Sequence, residues 1–247
     1  ARGTAATTQM ARSLPLLAQR GARVTCEAQP ALLGLLRQSL PGITFVARGT
    51  APPAADLQVP LLSLPHRFAT TLESIPATVP YLTATAECLA GWRRRLDQLS
   101  PARDLRVGVV WGGSKPHRGD FLRSLAPADL APLAALKGVP CFSLQFGERA
   151  GGAAAWPGGR LVGLADELGD FAHTAGALAA LDHIVTIDTA TAHLAGALGL
   201  DASLLLSAVP DWRWLLDRSD SPWYPTLRLY RQPSPGDWPA AGGAAPL

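Results

Sequence analysis

The sequence has no Cys-x-x-Cys pair, no Cys/His spacing of the zinc-binding kind, and three widely spaced cysteines, Cys26, Cys88 and Cys141. That odd number excludes a fully paired disulfide framework. Cys26 and Cys141, set in apolar strand-like runs, are expected to be buried and reduced. No apolar run reaches the roughly 18–20 residues that a membrane span needs, because Pro, Gly or charge breaks the longest candidates. No signal peptide is visible, so a cytoplasmic location is expected. Basic and acidic residues nearly balance, 22 Lys and Arg against 19 Asp and Glu, and only Arg93-Arg94-Arg95 forms a cluster. Without interleaved aromatics this cluster reads as a solvated helix face, so no nucleic-acid partner is expected. A GxSxG elbow, a Ser/His/Asp or Cys/His nucleophile and a pair of glycosidase-type carboxylates are all absent. No catalytic residue is assigned on this reading, and no cofactor or metal is expected.

What is present is a large apolar fraction. Of the 247 residues 48% are hydrophobic, enough for one large or two small domains with a substantial core. A mean hydropathy of +0.14 excludes a disordered chain. Ala1 to Arg12 leads into a helical pattern with Met10, Leu14 and Leu17 on one face, which Pro15 should bend and Gly21 should end. Arg23 to Glu27 and Ile43 to Ala47 read as strands around a helix at Pro30 to Leu40, followed by a short apolar segment at Asp56 to Leu62. Leu62 to Leu82, rich in Pro and Thr, reads as a structured surface connection. Ala86 to Leu99 is an amphipathic helix with Leu89, Trp92 and Leu96 inward. Ser100-Pro101 then marks a boundary between domains 1–100 and 101–247. The second half restarts with a strand at Leu105 to Trp111. A helix at Pro127 to Leu136, strands at Pro140 to Leu144 and Arg160 to Leu164, a helix at Asp170 to Leu181 and a strand at Ala202 to Ser207 continue the rhythm. Gly151 to Gly159 reads as a flexible Gly/Ala segment. In the tail from Pro210 to Trp238, Trp212, Trp214, Trp223 and Trp238 mix with charge, as in a rigid surface layer or a ligand wall.

The stretch Leu181 to Leu200 organises the chain. Ile184 to Ile187 reads as a buried parallel strand, Asp188-Thr189 as a turn, and the following residues as a helix that Gly199 stops. A strand, a polar turn and a helix N-terminus in that order place N–H groups and the positive dipole end where an α/β sheet binds phosphate. Asp188, Thr189, Ala190, Thr191 and His193 are candidates there. Equally open is that Asp188 or Thr189 is a helix cap and His193 a packing residue.

A second candidate lies at Trp111 to Leu125. Gly112 and Gly113 permit close backbone approach, and Ser114, Lys115, Arg118 and Arg123 supply donors and charge suited to a diphosphate. The order of residues is not that of a Walker A loop. Two βα turns of one parallel sheet open on the same edge, so both can grip one diphosphate. Gln145 and Glu148, ending a third strand, are candidates for nucleoside contacts, although a solvent-exposed turn reads as well. Asp170 and His173 read as a cap and a partly buried side chain.

The series LRVGVVWGGSKPHRGDFLRSLAPADLAPL, FSLQFG, DFAHTAGALAALDHIVTIDTATAHLAGALG and DWRWLLDRSDSPWYPTLRLYRQPSPGDW resembles the bacterial tetratricopeptide-linked glycosyltransferases related to lipopolysaccharide heptosyltransferases. The resemblance implies a GT-B architecture of class α/β: two Rossmann-like domains with parallel sheets, the C-terminal one binding most of a sugar nucleotide. It implies that Asp188, Thr189, Ala190 and His193 form the diphosphate loop, completed by Arg123 and the Gly112–Lys115 turn. Members usually open with a strand and a turn ending in Gly-Asp, just before a helix that Gln9-Met10-Ala11-Arg12 matches here. At the Gly-Asp positions this chain has Ala5 and Ala6, and the first strand is expected to lie upstream of Ala1. The missing Asp is the group held to deprotonate the acceptor, a role worth about 10²–10⁴ in rate. The usual C-terminal helix is reduced to Pro239 to Leu247.

The expected activity is therefore transfer of a sugar from a nucleotide sugar donor to a hydroxyl of an unidentified glycan or protein acceptor. Without an Asp-x-Asp site it would be metal-independent. The alternatives are a sugar-nucleotide-binding module without turnover and, less well matched, a sugar-nucleotide epimerase, which would show a carboxylate cluster.

Overall fold

A computed structural model describes residues 3–101, 105–158 and 160–243. The opening helix comes in three pieces: α1 (Thr4–Met10), a 3-10 turn at Ala11–Ser13, and α2 (Leu14–Gln19). Pro15 accounts for the break. In a helix interior its ring would delete a hydrogen bond, whereas in the first turn of α2 its missing N–H costs nothing. Gly21, at φ +85°, turns the chain out of α2. β1 (Thr25–Ala28) and β2 (Thr44–Ala47) then pair in parallel, Cys26 opposite Phe45, with α3 (Leu33–Ser39) between them. Residues 51–60 are exposed and form neither helix nor strand. The connection that follows carries α4 (Leu64–Arg67) and ends by donating the Tyr81 and Leu82 N–H groups to Ala197 O, at 3.0 and 3.2 Å. α5 (Ala86–Leu99) starts where expected, the Thr85 hydroxyl accepting from Cys88 N–H, and it buries Trp92 and Leu96. Its outward Arg95 pairs with Glu167.

The remaining strands build one six-stranded parallel sheet. β3 (Val107–Val109), β4 (Cys141–Ser143), β5 (Leu161–Gly163), β6 (His183–Ile187), β7 (Ala202–Leu206) and β8 (Leu227–Arg231) lie in the order β5-β4-β3-β6-β7-β8. α6 (Asp120–Arg123) and α7 (Ala131–Ala134) lie between β3 and β4. α8 (Phe171–Ala179) precedes β6, α9 (Ala190–Ala197) joins β6 to β7, and α10 (Trp238–Gly243) follows β8. Both faces of the sheet centre are covered, which is why β3 and β7 are buried at every position. Ile184, Leu204 and Leu206 face one cluster, which also takes in Met10, Leu35 and Phe45. Val107, Val185, Ile187 and Leu205 face the other, with Trp111 and Trp238. Gly108 is required in β3, since a Cβ there would meet Leu144 Cδ1 and Leu181 Cδ1 at 2.7 Å. The core is thus shared between the first hundred residues and the large sheet.

Three expectations change. The Trp-rich tail is no surface layer: Trp214, Trp223, Trp238 and Tyr224 are buried, and only Trp212 is exposed. β8 within it has the alternating pattern of a sheet edge, Leu227 and Leu229 inward with Arg228 outward, which the surrounding charges disguised. The Gly/Ala segment takes up 3-10 turns over Gly147–Ala155; its last residue, Gly159, lies outside the described residues. The C-terminal remnant is helical as far as Gly243, and 244–247 lie outside them. Cys26 and Cys141 are buried and free, and burial pushes both thiols up to about 11, which leaves them protonated and inert.

Gly196 in α9 is where Tyr224 packs, and an added Cβ would enter its ring. Gly196→Ala is expected to destabilise the chain by about 1–3 kcal/mol, overpacking outweighing the gain in helix propensity. Urea unfolding checks it against Gly42→Ala, where the Cβ meets nothing within 4 Å.

Candidate functional site

Counted from β3, the sheet order reads 3-2-1-4-5-6, so the chain reverses direction between β3 and β6. The crevice outside the carboxyl ends of those two strands is where doubly wound sheets take their ligands. Both turns singled out in the sequence open there, and one contact joins them: Arg123 Nη1 donates to Asp188 O at 2.8 Å.

On the β3 side the glycines serve a different purpose from the one expected. Gly112 N–H and Trp111 N–H donate to Gln145 Oε1 at 2.7 and 3.1 Å, and Gly113 N–H donates to Ser124 Oγ at 2.9 Å. The Gln145 Nε2 group donates back to Gly112 O and Phe146 O. Gln145 is therefore a buried clamp across the β3 and β4 turns, its amide fully engaged with backbone. What the missing Cβ atoms make room for is charge. Arg149 lies against Gly112, and Asp120 and Arg123 lie against Gly113. The buried Asp120 carboxylate pairs with both Arg149 and Arg123, the latter at 3.4 Å. Neither Asp120 nor Arg149 was singled out in the sequence. The i,i+3 spacing of Asp120 and Arg123 was the available signal for one of them.

Ser114, Lys115 and Arg118 are exposed on the turn. Lys115 Nζ reaches Glu148 Oε2 at 2.8 Å across the β3 and β4 turns. That hydrogen bond and charge hold the Glu148 carboxyl below its ordinary range. A cavity of about 500 Å³ lies beside this pair, walled by Trp111, Phe121, Leu125, Pro127, Glu148 and Arg149. A larger groove of about 870 Å³, lined by none of the crevice residues, runs along α5 and α8 past Cys88, Trp92, Asp170 and His173. There Asp170 caps α8, accepting from His173 N–H, as expected, whereas the His173 side chain is exposed rather than partly buried.

On the β6 side Thr189 occupies the N-cap position of α9, but its buried hydroxyl has no hydrogen-bond partner. Ala190 and Thr191, half-buried, form the first turn. The Asp188 carboxylate is 19% exposed. Burial raises its proton affinity, with a further push from Asp211 and opposition from the Trp214 indole, Arg123 and Arg213. His193 is 2% exposed, stacked on Trp214 with centroids 5.2 Å apart, and its Nδ1 is 2.9 Å from Tyr224 Oη. Its Nε2 stands 3.9 Å from Asp188 Oδ1. Burial, reinforced by Arg213, Arg12 and Arg123, pushes the imidazole down to about 3, so it is neutral at physiological pH. Next to it Arg213 bridges Asp211 and Gln9, donating to Gln9 Oε1 at 2.6 Å. The N-terminal helix α1 thereby reaches the crevice wall. Among the described residues no group of three or more His, Cys, Asp or Glu could hold a metal ion, and no helix is long and apolar enough to cross a membrane.

No family model matches the chain. It is 29% identical over 187 residues to Protein FlbA of Caulobacter vibrioides, an alignment covering 71% of this chain and 30% of that protein. The chain thus spans about a third of the length of the curated relative it matches. Two solved structures share its fold. One is the E. coli ADP-heptose lps heptosyltransferase II, at TM-score 0.53 and 14% identity, covering 93% of this chain and 88% of that one. The other is a glycosyl transferase family 9 protein from Veillonella parvula, at TM-score 0.50 and 12% identity, covering 78% of this chain and 53% of that one. The fold is glycosyltransferase-like. At these identities the likeness shows the fold alone.

The depressed His193 pKa has a consequence for stability. Unfolded, its imidazole binds a proton below about pH 6.5; folded, it does not until about pH 3. Stability contributed by His193 is complete above pH 6.5 and is lost as pH falls between those values, by at most about 1.4 kcal/mol per pH unit. His183, lowered by burial, acts in the same direction, whereas the raised Asp188 gains stability as it protonates. Thermal unfolding at pH 7 and pH 4 is expected to show a smaller loss of Tm in His193→Asn than in wild type. Equal losses would exclude this assignment.

Proposed function

We propose that the chain binds a nucleoside diphosphate sugar across the crevice between β3 and β6 and transfers the sugar to a hydroxyl acceptor without a metal. The observation that carries this reading is the Arg123 bridge, which joins the two turns into one site with a guanidinium at its centre. Arg123 and Arg149, steadied by Asp120, would meet the diphosphate, with Lys115 and Arg118 at its exposed side. The same cations would offset charge developing on the leaving diphosphate. The nucleoside would enter the cavity walled by Trp111, Phe121 and Glu148, with Gln145 holding that wall rather than touching the base. The Asp188 carboxylate would repel phosphate and suits a sugar hydroxyl instead, while the start of α9 faces the diphosphate. Residues 1–100 would form the acceptor side, reaching the crevice through Gln9.

A second reading, binding without efficient turnover, is favoured by one residue. Ala6 lies buried in α1, where the family resemblance places the carboxylate that deprotonates the acceptor. A methyl group accepts no proton.

Calorimetric titration with UDP, ADP, GDP and CMP tests the site. Saturable binding of one nucleotide is expected, weakened about tenfold or more in Arg123→Ala, as befits a lost charge-assisted hydrogen bond worth about 1.5–3 kcal/mol. A folded protein that binds none of the four overturns the reading.

A further inference from the structure

A buried chain of contacts joins the crevice to two residues outside the proposed ligand contacts, Tyr224 and Arg12. The Arg12 guanidinium lies over the Tyr224 ring at 4.6 Å and over the Tyr81 ring at 4.5 Å. Tyr224 Oη is 2.9 Å from His193 Nδ1, and His193 Nε2 is 3.9 Å from Asp188 Oδ1. Neither ring has room to turn. Gly196 packs on Tyr224, and Trp214 stacks on His193 at an interplanar angle of 26°.

The imidazole is neutral and carries one proton, so the question is which nitrogen holds it. Nε2 faces a carboxylate: a lone pair there would be repelled, while an N–H is attracted. Nδ1 is then the acceptor and the Tyr224 hydroxyl the donor. We propose that Tyr224 is a positioning residue: its hydroxyl donates to His193 Nδ1, fixes the Nε2–H tautomer and aims that N–H at Asp188, which sets the direction of the carboxylate in the crevice. Arg12 clamps the Tyr224 ring, so α1 and the crevice are parts of one rigid assembly. The consequence for ligand binding rests on the nucleotide-sugar reading; the Tyr224–His193 hydrogen bond and the electrostatic approach of Nε2 to Asp188 do not.

Two-bond ¹H–¹⁵N spectra of histidine-labelled protein, with His193 assigned through His193→Asn, read the tautomer directly. Wild type is expected to show a single Nε2–H pattern, unchanged from pH 8 to pH 5, and an Nδ1–H pattern overturns the proposal. In Tyr224→Phe the single pattern is expected to give way to a mixture. If the pattern stays pure, Asp188 alone sets the tautomer and the role of Tyr224 is overturned. With whichever of UDP, ADP, GDP or CMP binds wild type, Tyr224→Phe is expected to bind several-fold more weakly while still unfolding cooperatively. An unchanged affinity overturns the positioning role. If wild type binds none of the four, the nucleotide reading fails and the tautomer decides the chain by itself.

Discussion

Arg12 is 4% exposed, and the groups that meet its guanidinium come from separate parts of the chain. It donates to Gln9 O within its own helix, to Pro76 O in the connection before α5, to Trp223 O in the tail and to the Tyr81 hydroxyl. The Tyr81 and Tyr224 rings cover its faces. Among the described residues no carboxylate pairs with it. Taking a cation out of water costs several kcal/mol, so the burial is tolerable only when all of these acceptors are in place together. That requirement makes one cooperative unit of α1, the 76–82 segment and the tail. It also explains why Tyr81 and Leu82 are at hand to satisfy the last carbonyl of α9, and why Tyr224 can reach His193.

The crevice depends on the same economy of charge. Asp120 alone would be an isolated buried anion; between Arg149 and Arg123 it becomes the support that holds both guanidiniums at the β3 turn. Arg123 is then left to bridge to the Asp188 carbonyl. Cations held by a buried carboxylate are oriented before a ligand arrives, which is what an anion site needs. Gln145 plays the matching neutral part, its four hydrogen bonds locking the β3 and β4 turns to each other.

Much of this architecture was legible in the residues. The run Ile184 to Ile187, the Asp188-Thr189 turn and the stop at Gly199 read as strand, turn and helix because each depends on neighbours within a few positions. The strands at Thr25, Thr44, Val107 and Cys141 were found for the same reason, with ends displaced by one or two residues. The tail misled because its aromatic and charged composition drew attention away from the alternation Leu227, Arg228, Leu229 that makes β8. The candidate turns after β3 and β6 do come together at one edge of the sheet. Their tasks were not all readable: Gln145 had the chemistry of a base reader, and only its proximity to the Gly112 turn shows that its amide is occupied.

The strands, turns and helix stops themselves were set by local pattern, since hydrophobic period, turn chemistry and helix stops are properties of short segments, whereas the order of strands and the switch point between β3 and β6 come from pairing across the fold. Tertiary structure alone decided which charges meet. Arg12 and the Trp223 carbonyl it binds are 211 residues apart. No periodicity operates over that distance. Only the packed fold, with water excluded and every buried donor in need of an acceptor, determines that those two groups become partners.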